Sequence, residues 1–193
     1  MKTLRSVLWG IAVTLMLAAP VLAQEEAPPE NRSGVHVKVG VDAPGTHRVE
    51  NGSSISTDVD GGGFLSGELY ATINPHVELG AGVELPNARS PENSSGEFIF
   101  IPIYGVARLY PLVGPVAPYV VGRIGMSLFL GDDDYKGNGD LESGAHLGIG
   151  AGIDIHRIQI EAMLSVSTGR AEVGPTWVDV SYSKLGVSMG YRF

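Results

Sequence analysis

Charged side chains that could form buried ion pairs recur at regular positions in otherwise apolar stretches of this chain. Lys38, Glu68, Arg123 and Glu161 each lie in a segment whose alternate positions are mostly aliphatic. In an extended strand, such alternation puts the charged residues on one face and the apolar residues on the other. Two acids and two bases removed from water are expected to pair, because an unpaired buried charge is costly. The sequence therefore predicts an internal cluster of ion pairs formed by these four residues.

The acidic loop 132–142 carries a second chemical signal, a set of oxygen ligands for a divalent cation. Its carboxylates and Asn138 stand near the spacing of a calcium-binding loop. However, Lys136 occupies a ligand position, Glu142 comes one residue early, and no helix is predicted on either side. A solvated acidic loop is the simpler interpretation, and we predict neither a metal site nor a cofactor.

One polar segment combines a histidine, two serines and an aspartate, which are the residue types of nucleophilic catalysis. These residues are His47, Ser54, Ser56 and Asp58. Their spacing matches no nucleophile–base motif, so we predict that the chain is not an enzyme. A lipid-modifying enzyme of the outer leaflet is kept as a third alternative. Three further histidines are interpreted as polar filling between strands, not as metal ligands. They are His36, His76 and His146.

Eight segments show the period-two alternation. Each has about ten residues, which is the length that a tilted strand needs to cross the hydrocarbon layer. The segments are 34–42, 64–73, 76–85, 97–109, 118–130, 144–155, 158–168 and 181–193. The segment 97–109 is apolar on both faces, and we place Arg108 on the inner face to keep it out of lipid. Long connections at 43–63, 86–96, 131–143 and 169–179 alternate with shorter ones. This pattern predicts an all-β fold, an eight-stranded antiparallel up-and-down transmembrane β-barrel with both termini at the end of the short turns.

Periodicity alone leaves open which face points outward. A soluble barrel of the lipocalin type would put the apolar face inside. Aromatic residues near strand ends favour lipid instead, because they form girdles at membrane interfaces. We expect one girdle at the long-loop end from Phe64, Phe129, Trp177 and Tyr182, and one at the other end from Tyr110, Tyr191 and Phe193.

The last strand alternates apolar and polar residues from Lys184 onward and ends on an aromatic residue. It resembles the C-terminal strand of bacterial outer-membrane β-barrels, which the barrel-assembly machinery reads. This resemblance marks Tyr191 and Phe193 as the assembly signal. In addition, the runs 101–110 and 118–125 are similar to the central hairpin of the outer-membrane-protein-A-like superfamily. The resemblance covers the barrel domain and implies contact with outer-membrane lipid and lipopolysaccharide. The sequence departs from the type member of the superfamily by ending at Phe193 with no peptidoglycan-binding domain, which argues against a wall-anchoring role.

The N-terminal residues have the layout of a secretory signal peptide. Lys2 and Arg5 precede an apolar run, and small residues follow up to Ala23. We therefore expect a signal peptide at 1–23 that is cleaved after Ala23, a disordered periplasmic leader at 24–33, and a barrel at 34–193 in the bacterial outer membrane. The chain has no cysteine, which excludes a lipoprotein and a disulfide scaffold.

The charges on the predicted inner face balance, with five acids and five bases. They are Glu68, Glu78, Glu84, Asp154 and Glu161, and Lys38, Arg108, Arg123, Lys184 and Arg192. The formal net charge of −8 therefore falls mainly on the external loops, which argues against nucleic acid as a partner. We expect a largely closed lumen and a structural or surface-interaction protein whose acidic loops meet an extracellular partner. The alternative is a small porin-like channel for ions or apolar solutes.

Overall fold

The computed structural model describes residues 32–51, 53–90, 96–132, 135, 139–173 and 175–193. These residues form antiparallel strands joined by turns and loops. The strands are β1 (Gly34–Asp42), β2 (Gly45–Asn51), β3 (Ser53–Val59), β4 (Gly62–Asn74), β5 (Val77–Pro86), β6 (Phe98–Leu109), β7 (Val116–Gly131), β8 (Leu141–Ile155), β9 (Ile158–Val173) and β10 (Thr176–Arg192). Within these ranges, no helix is long and apolar enough to span a membrane. The predicted signal peptide and most of the predicted leader lie outside the described residues.

Eight of the strands close into a barrel in the order β1-β4-β5-β6-β7-β8-β9-β10. Closure comes from β1, which pairs with β10 from His36 opposite Arg192 to Asp42 opposite Gly186. Each pairing in the ring is antiparallel. The predicted fold class, an eight-stranded up-and-down barrel, is confirmed.

The segment 43–63, predicted to be a long loop, is instead the hairpin of β2 and β3. β2 pairs with β10 from Thr46 opposite Ser183 to Glu50 opposite Asp179, above the part of β10 that pairs with β1. β10 therefore has β9 along one edge and two strands in tandem, β1 and then β2, along the other. The sequence contains the signal that locates this turn, because Asn51-Gly52 is a strong hairpin dipeptide.

The wall of the barrel is taller on one side than on the other. We call the end with both termini and the turns at 75–76, 110–115 and 156–157 the turn end, and the opposite end the loop end. Strands β7 to β10 have 15 to 17 residues, whereas β1, β4, β5 and β6 have 9 to 13. Together with the β2–β3 hairpin, the upper parts of β8 to β10 form a tall wall at the loop end.

The apolar face of the barrel points outward and the polar face points into the lumen. Ile124 and Ile149 are each 69% exposed, whereas Lys38 and Glu68 are each 1% exposed. All ten charged residues assigned to the inner face lie there and are buried or nearly so. This arrangement is that of a membrane barrel and is the opposite of a lipocalin-type barrel. The soluble alternative is therefore wrong.

Four of the aromatic residues expected in lipid girdles lie inside the barrel instead. They are Phe64, Phe129, Tyr182 and Tyr110, each no more than 8% exposed. Their position follows from strand parity, since each lies an even number of residues from an inward neighbour on its own strand or its continuation. Tyr191 and Phe193 do point outward at the turn end, where they are 42% and 71% exposed and their rings are in contact.

Candidate functional site: the lumen of the barrel

Glu68 is the centre of the polar network inside the barrel. Its carboxylate accepts from Lys38 Nζ at 2.7 Å, from Arg123 Nη2 at 2.8 Å and from Arg108 Nη2 at 3.2 Å. The hydroxyls of Tyr70 and Tyr104 each donate to it at 2.9 Å. Because these partners come from β4 itself and from three other strands, β1, β6 and β7, the contacts of one carboxylate tie different walls of the barrel together.

Glu161 faces Glu68 across the lumen and shares its basic partners. Lys38 Nζ lies 3.1 Å from Glu161 Oε2, and Arg123 Nη2 lies 2.7 Å from Oε1. Tyr119 donates its hydroxyl to the same carboxylate at 3.1 Å. The structure thus brings together all four residues of the predicted ion-paired cluster. We call Lys38, Glu68, Arg123 and Glu161 the central network.

The polar contacts continue from the central network to the turn end. Arg108 Nη2 donates to Gln159 Oε1 at 3.0 Å, and Arg108 Nη1 lies 3.7 Å from Glu78 Oε2. Glu78 in turn accepts the hydroxyl of Tyr110 at 2.9 Å. Arg32 lies over the Tyr110 ring at 4.3 Å and is 2% exposed. Arg32, which lies inside the segment predicted to be a disordered leader, therefore packs into the turn end of the barrel.

Toward the loop end, a second group of ion pairs covers the central network. Arg123 Nη1 lies 3.2 Å from Glu84 Oε2, and Lys184 Nζ lies 2.6 Å from Glu84 Oε1. Lys184 also lies 3.0 Å from Asp42 Oδ2, which Arg89 Nη2 contacts at 2.9 Å. Ion pairs thus follow one another along the lumen from Glu78 to Arg89.

Large side chains fill the space that inward glycines leave on β8. A Cβ atom built on Gly152 would lie 2.5 Å from the Tyr119 ring, and one on Gly150 would lie 3.1 Å from Met163 Cε. Two cavities inside the barrel are each about 10 Å³, the volume of about one water molecule. The glycines therefore accommodate neighbouring rings and methyl groups.

Above the ion pairs, apolar and aromatic side chains fill the barrel at the loop end. We call this group the aromatic cluster. Its buried members are Val59, Phe98, Phe100, Phe129, Val178, Val180 and Tyr182. The rings of Phe100 and Phe129 stack with centroids 4.3 Å apart, and Phe98 contacts both edge-on. Val49 and Tyr135 pack against the outside of the cluster.

His47 is the polar residue of the aromatic cluster's upper edge. Its ring lies 4.9 Å from Phe98, and its Nε2 is 2.9 Å from the Tyr135 hydroxyl. Burial lowers the pKa of His47 to about 4, because a protonated imidazole at this position would be a charge held away from water. Burial also raises the pKa of Tyr135. Both side chains are therefore neutral near neutral pH.

The residues considered for nucleophilic catalysis do not meet. His47 points into the barrel and is 5% exposed, whereas Ser54 and Ser56 point to the outside of the same hairpin. Ser56 accepts a hydrogen bond from Arg48 Nε at 3.4 Å, and Arg48 is not a member of the set. Adjacent positions of one strand lie on opposite faces, so the hairpin separates the histidine from the serines.

The remaining polar candidates also have partners within the barrel. His36 Nδ1 lies 3.1 Å from Gln159 Oε1, His146 Nδ1 lies 3.0 Å from Ser167 Oγ, and His76 Nδ1 lies 2.8 Å from the Tyr110 carbonyl. Among the described residues, no group of three or more His, Cys, Asp or Glu could hold a metal ion. Asp134 and Asn138 of the calcium-like loop lie outside the described residues.

The fold and the lumen together define a membrane β-barrel with an apolar outer belt and a filled polar interior. The chain belongs to the family of the outer membrane protein beta-barrel domain, whose family model matches residues 10–193. No curated protein sequence matches the chain.

Solved structures of small outer-membrane barrels are similar in fold. The outer membrane protein OprG from Pseudomonas aeruginosa is 12% identical, with a TM-score of 0.55, 86% of this chain and 98% of that chain covered. The outer membrane protein AlkL is 13% identical, with a TM-score of 0.51, 88% of this chain and 95% of that chain covered. Neisserial surface protein A is 14% identical, with a TM-score of 0.49, 85% of this chain and 100% of that chain covered. At these identities the likeness concerns the fold.

Proposed function

We propose that this protein is an integral outer-membrane barrel whose lumen is closed, with its loop end outside the cell as a structural or surface-interaction element. The observation that carries the proposal is the central network, in which two acids and two bases at most 4% exposed join opposite walls. Membership of an outer-membrane barrel family supports the location. The loop end then presents its acidic residues to an extracellular partner.

The closed lumen follows from how tightly the interior is occupied. An ion crossing the barrel would have to separate Lys38 or Arg123 from carboxylates 2.7 to 3.2 Å away. It would then meet the aromatic cluster, which offers it no polar ligands apart from the His47 and tyrosine edges. Separating buried pairs is costly, since each group freed is left charged in a medium of low polarity.

Conductance in a planar bilayer tests this proposal. We expect the wild-type barrel to be silent and the Arg123→Ala variant to conduct, because removing this guanidinium takes one basic partner from Glu68, Glu84 and Glu161 and leaves a gap beside Gly148. The matched control is Arg157→Ala, which removes an exposed base in a turn. Stable conductance through the wild-type protein would overturn the closed lumen.

One observation favours a second candidate, a route for apolar solutes. Among the described residues, the β5–β6 ladder stops at Val83 opposite Ile103. The two segments next pair at the isolated bridge between Arg89 and Phe98. Pro102 lies in this interval and has no N–H to donate to a neighbouring strand. The hydrogen bonding between neighbouring strands is thus weakest beside the aromatic cluster. An apolar solute that enters from the loop end would stop at this cluster.

Uptake of an apolar fluorescent dye by cells with and without the protein tests the second candidate. A solute route requires faster uptake in cells that carry the wild-type chain and a loss of that gain in Phe100→Asp, which puts a charge into the aromatic cluster. Equal uptake with and without the protein would exclude the route and leave the closed barrel.

A further inference from the structure

The outward face of the tall wall is polar, although it continues the same outward face that is apolar lower down. Along β10, the outward residues are apolar from Phe193 to Leu185 and then change to Ser183, Ser181 and Asp179. The polar part lies beyond the belt that contacts lipid, on the side of the membrane that the proposed function places outside the cell. It is bathed by whatever surrounds the barrel just above the hydrocarbon.

Two exposed bases of the loop end lie on this face. Among the described residues, Arg48 on β2 and Arg170 on β9 are the exposed basic residues there, and both line a concavity of about 560 Å³. Arg170 lies 3.1 Å from Asp179 and 3.7 Å from Glu142, and Arg48 lies 3.8 Å from Glu50. The rest of the lining consists of hydroxyl residues, glycines and one valine, which are Ser143, Gly144, Thr168, Gly169, Val180 and Ser181.

An exposed tryptophan stands next to this concavity. Trp177 lies two residues from Asp179 on β10 and therefore on the same face, and it is 48% exposed. The eight residue steps from Leu185 to Trp177 span about 20 Å of height for a strand that rises about 3.3 Å per residue at a tilt of about 40°. The tryptophan is thus too far from the apolar belt to be part of an interfacial girdle. A large apolar ring held in water at this height is available to a ligand.

The chemistry of the face suits a neutral ligand rich in hydroxyl groups. The paired guanidinium and carboxylate groups offer donors and acceptors side by side, and their charges nearly cancel, so a strongly charged ligand gains little. Sugars carry both donors and acceptors and have apolar C–H faces that can lie on an aromatic ring. The outer leaflet supplies such a ligand at this depth, because saccharide chains of neighbouring lipopolysaccharide molecules extend upward from the lipid beside the wall.

We propose that the outward face of the tall wall, formed by Arg48, Arg170, Asp179 and Trp177, binds the neutral saccharide of lipopolysaccharide in the surrounding membrane. The proposal deepens the proposed function, because it rests on the loop end being outside. It gives the barrel a lateral partner in its own membrane, separate from any partner that meets the loops from above.

Intrinsic fluorescence tests the site directly. The chain has two tryptophans; Trp9 lies in the predicted signal peptide, so Trp177 is the remaining one in the refolded chain 24–193. We expect the emission of the refolded barrel in detergent to shift saturably on addition of the neutral oligosaccharide released from lipopolysaccharide. Arg170→Ala should weaken this binding roughly tenfold, the effect of losing a charged hydrogen bond. The matched control, Arg157→Ala, should leave it unchanged.

Other results would overturn the proposal. These are an emission that does not respond to the oligosaccharide, a response that Arg170→Ala does not alter, or displacement of the oligosaccharide by inorganic phosphate. Binding that collapses on raising salt would also contradict a neutral ligand, because screening acts on charges. Conductance of the same preparation separates the two proposals: a closed barrel without saccharide binding removes only the wall site. A conducting barrel that binds saccharide removes only the closed lumen.

Discussion

The lower and upper halves of β10 have opposite patterns of polarity. From Lys184 to Arg192 the inward residues are polar and the outward residues are apolar, whereas from Val178 to Tyr182 the inward residues are apolar. The outward residues of the upper half are polar, apart from Trp177. The inversion falls between Tyr182 and Lys184, where the central ion pairs give way to the aromatic cluster.

The two halves of β10 show that the medium outside the barrel determines whether polar or apolar side chains fill the lumen at that height. Beside lipid, the outer face has to be apolar, and an equally apolar inner face would let a strand slip by one residue without penalty. Inward charges forbid that slip, since it would put them into hydrocarbon. Above the lipid, water covers the outside, so the interior is filled as in a water-soluble domain, by aromatic and aliphatic packing.

The largest expected effect is the loss of the hub of the ion pairs. Glu68→Gln leaves Lys38, Arg108 and Arg123 short of a negative partner in the part of the barrel beside lipid. We expect a loss of about 3–5 kcal/mol in unfolding free energy, measured by urea titration of the barrel in lipid vesicles. Glu50→Gln, which changes an exposed carboxylate on the hairpin, is the control. Equal stability of the two variants would contradict a structural role for the network.

Opening the aromatic cluster should destabilise the barrel without making it conduct. Phe100→Ala removes a ring that stacks on Phe129, and we expect a loss of about 3 kcal/mol in the same urea titration. The ion pairs below remain intact, so the variant should be as silent as the wild type in a planar bilayer. If Phe100→Ala conducts while Arg123→Ala does not, the two regions have exchanged the roles given to them here.

Acid should loosen the aromatic cluster through His47. The pKa of His47 is about 4 in the folded protein and near 6.5 when unfolded, so between these values the unfolded chain binds more protons. Stability from this group is therefore complete above about pH 6.5, falls on the order of 2 kcal/mol as the pH drops toward 4, and changes little below that. The difference in urea stability between wild type and His47→Gln, measured across this range, isolates the effect. A constant difference would contradict it.

The smallest effect is expected where neither region is touched. Arg170→Ala removes exposed ion pairs on the tall wall and should change the unfolding free energy by less than about 0.5 kcal/mol. Its thermal unfolding should coincide with that of the wild type. A large loss would mean that the wall's outer face stabilises the fold itself, and that a saccharide-binding defect in this variant reflects altered folding.

The sequence predicts the membrane part well because period-two alternation is strong there. Lys38, Glu68, Arg123 and Glu161 could be assigned to one interior and brought together by the closure of the ring, although their distances could not. Only the structure reveals Arg108 and the tyrosine hydroxyls as further partners of Glu68, since these contacts depend on strand stagger. Arg108 could be placed inside because its charge is excluded from lipid, but its partners could not be assigned.

Above the membrane, the same reasoning fails because the pattern inverts. Tyr182 and Phe129 were expected in lipid girdles from their position near strand ends, yet each keeps the inward parity of its strand. The hairpin at 45–59 was missed because its residues are mostly polar and show little period-two alternation. The dipeptide Asn51-Gly52 is the one hairpin signal in this segment of the sequence. Parity followed through to the strand ends, with turn dipeptides, would have identified both.

The tandem arrangement of β1 and β2 along one edge of β10 separates two design requirements of the molecule. The hydrocarbon thickness limits the length of β1. The hairpin above it can be lengthened, shortened or changed in sequence without altering the number of strands in the ring or its closure. The surface that this barrel presents outside the bilayer can therefore diversify under selection while the membrane part stays fixed.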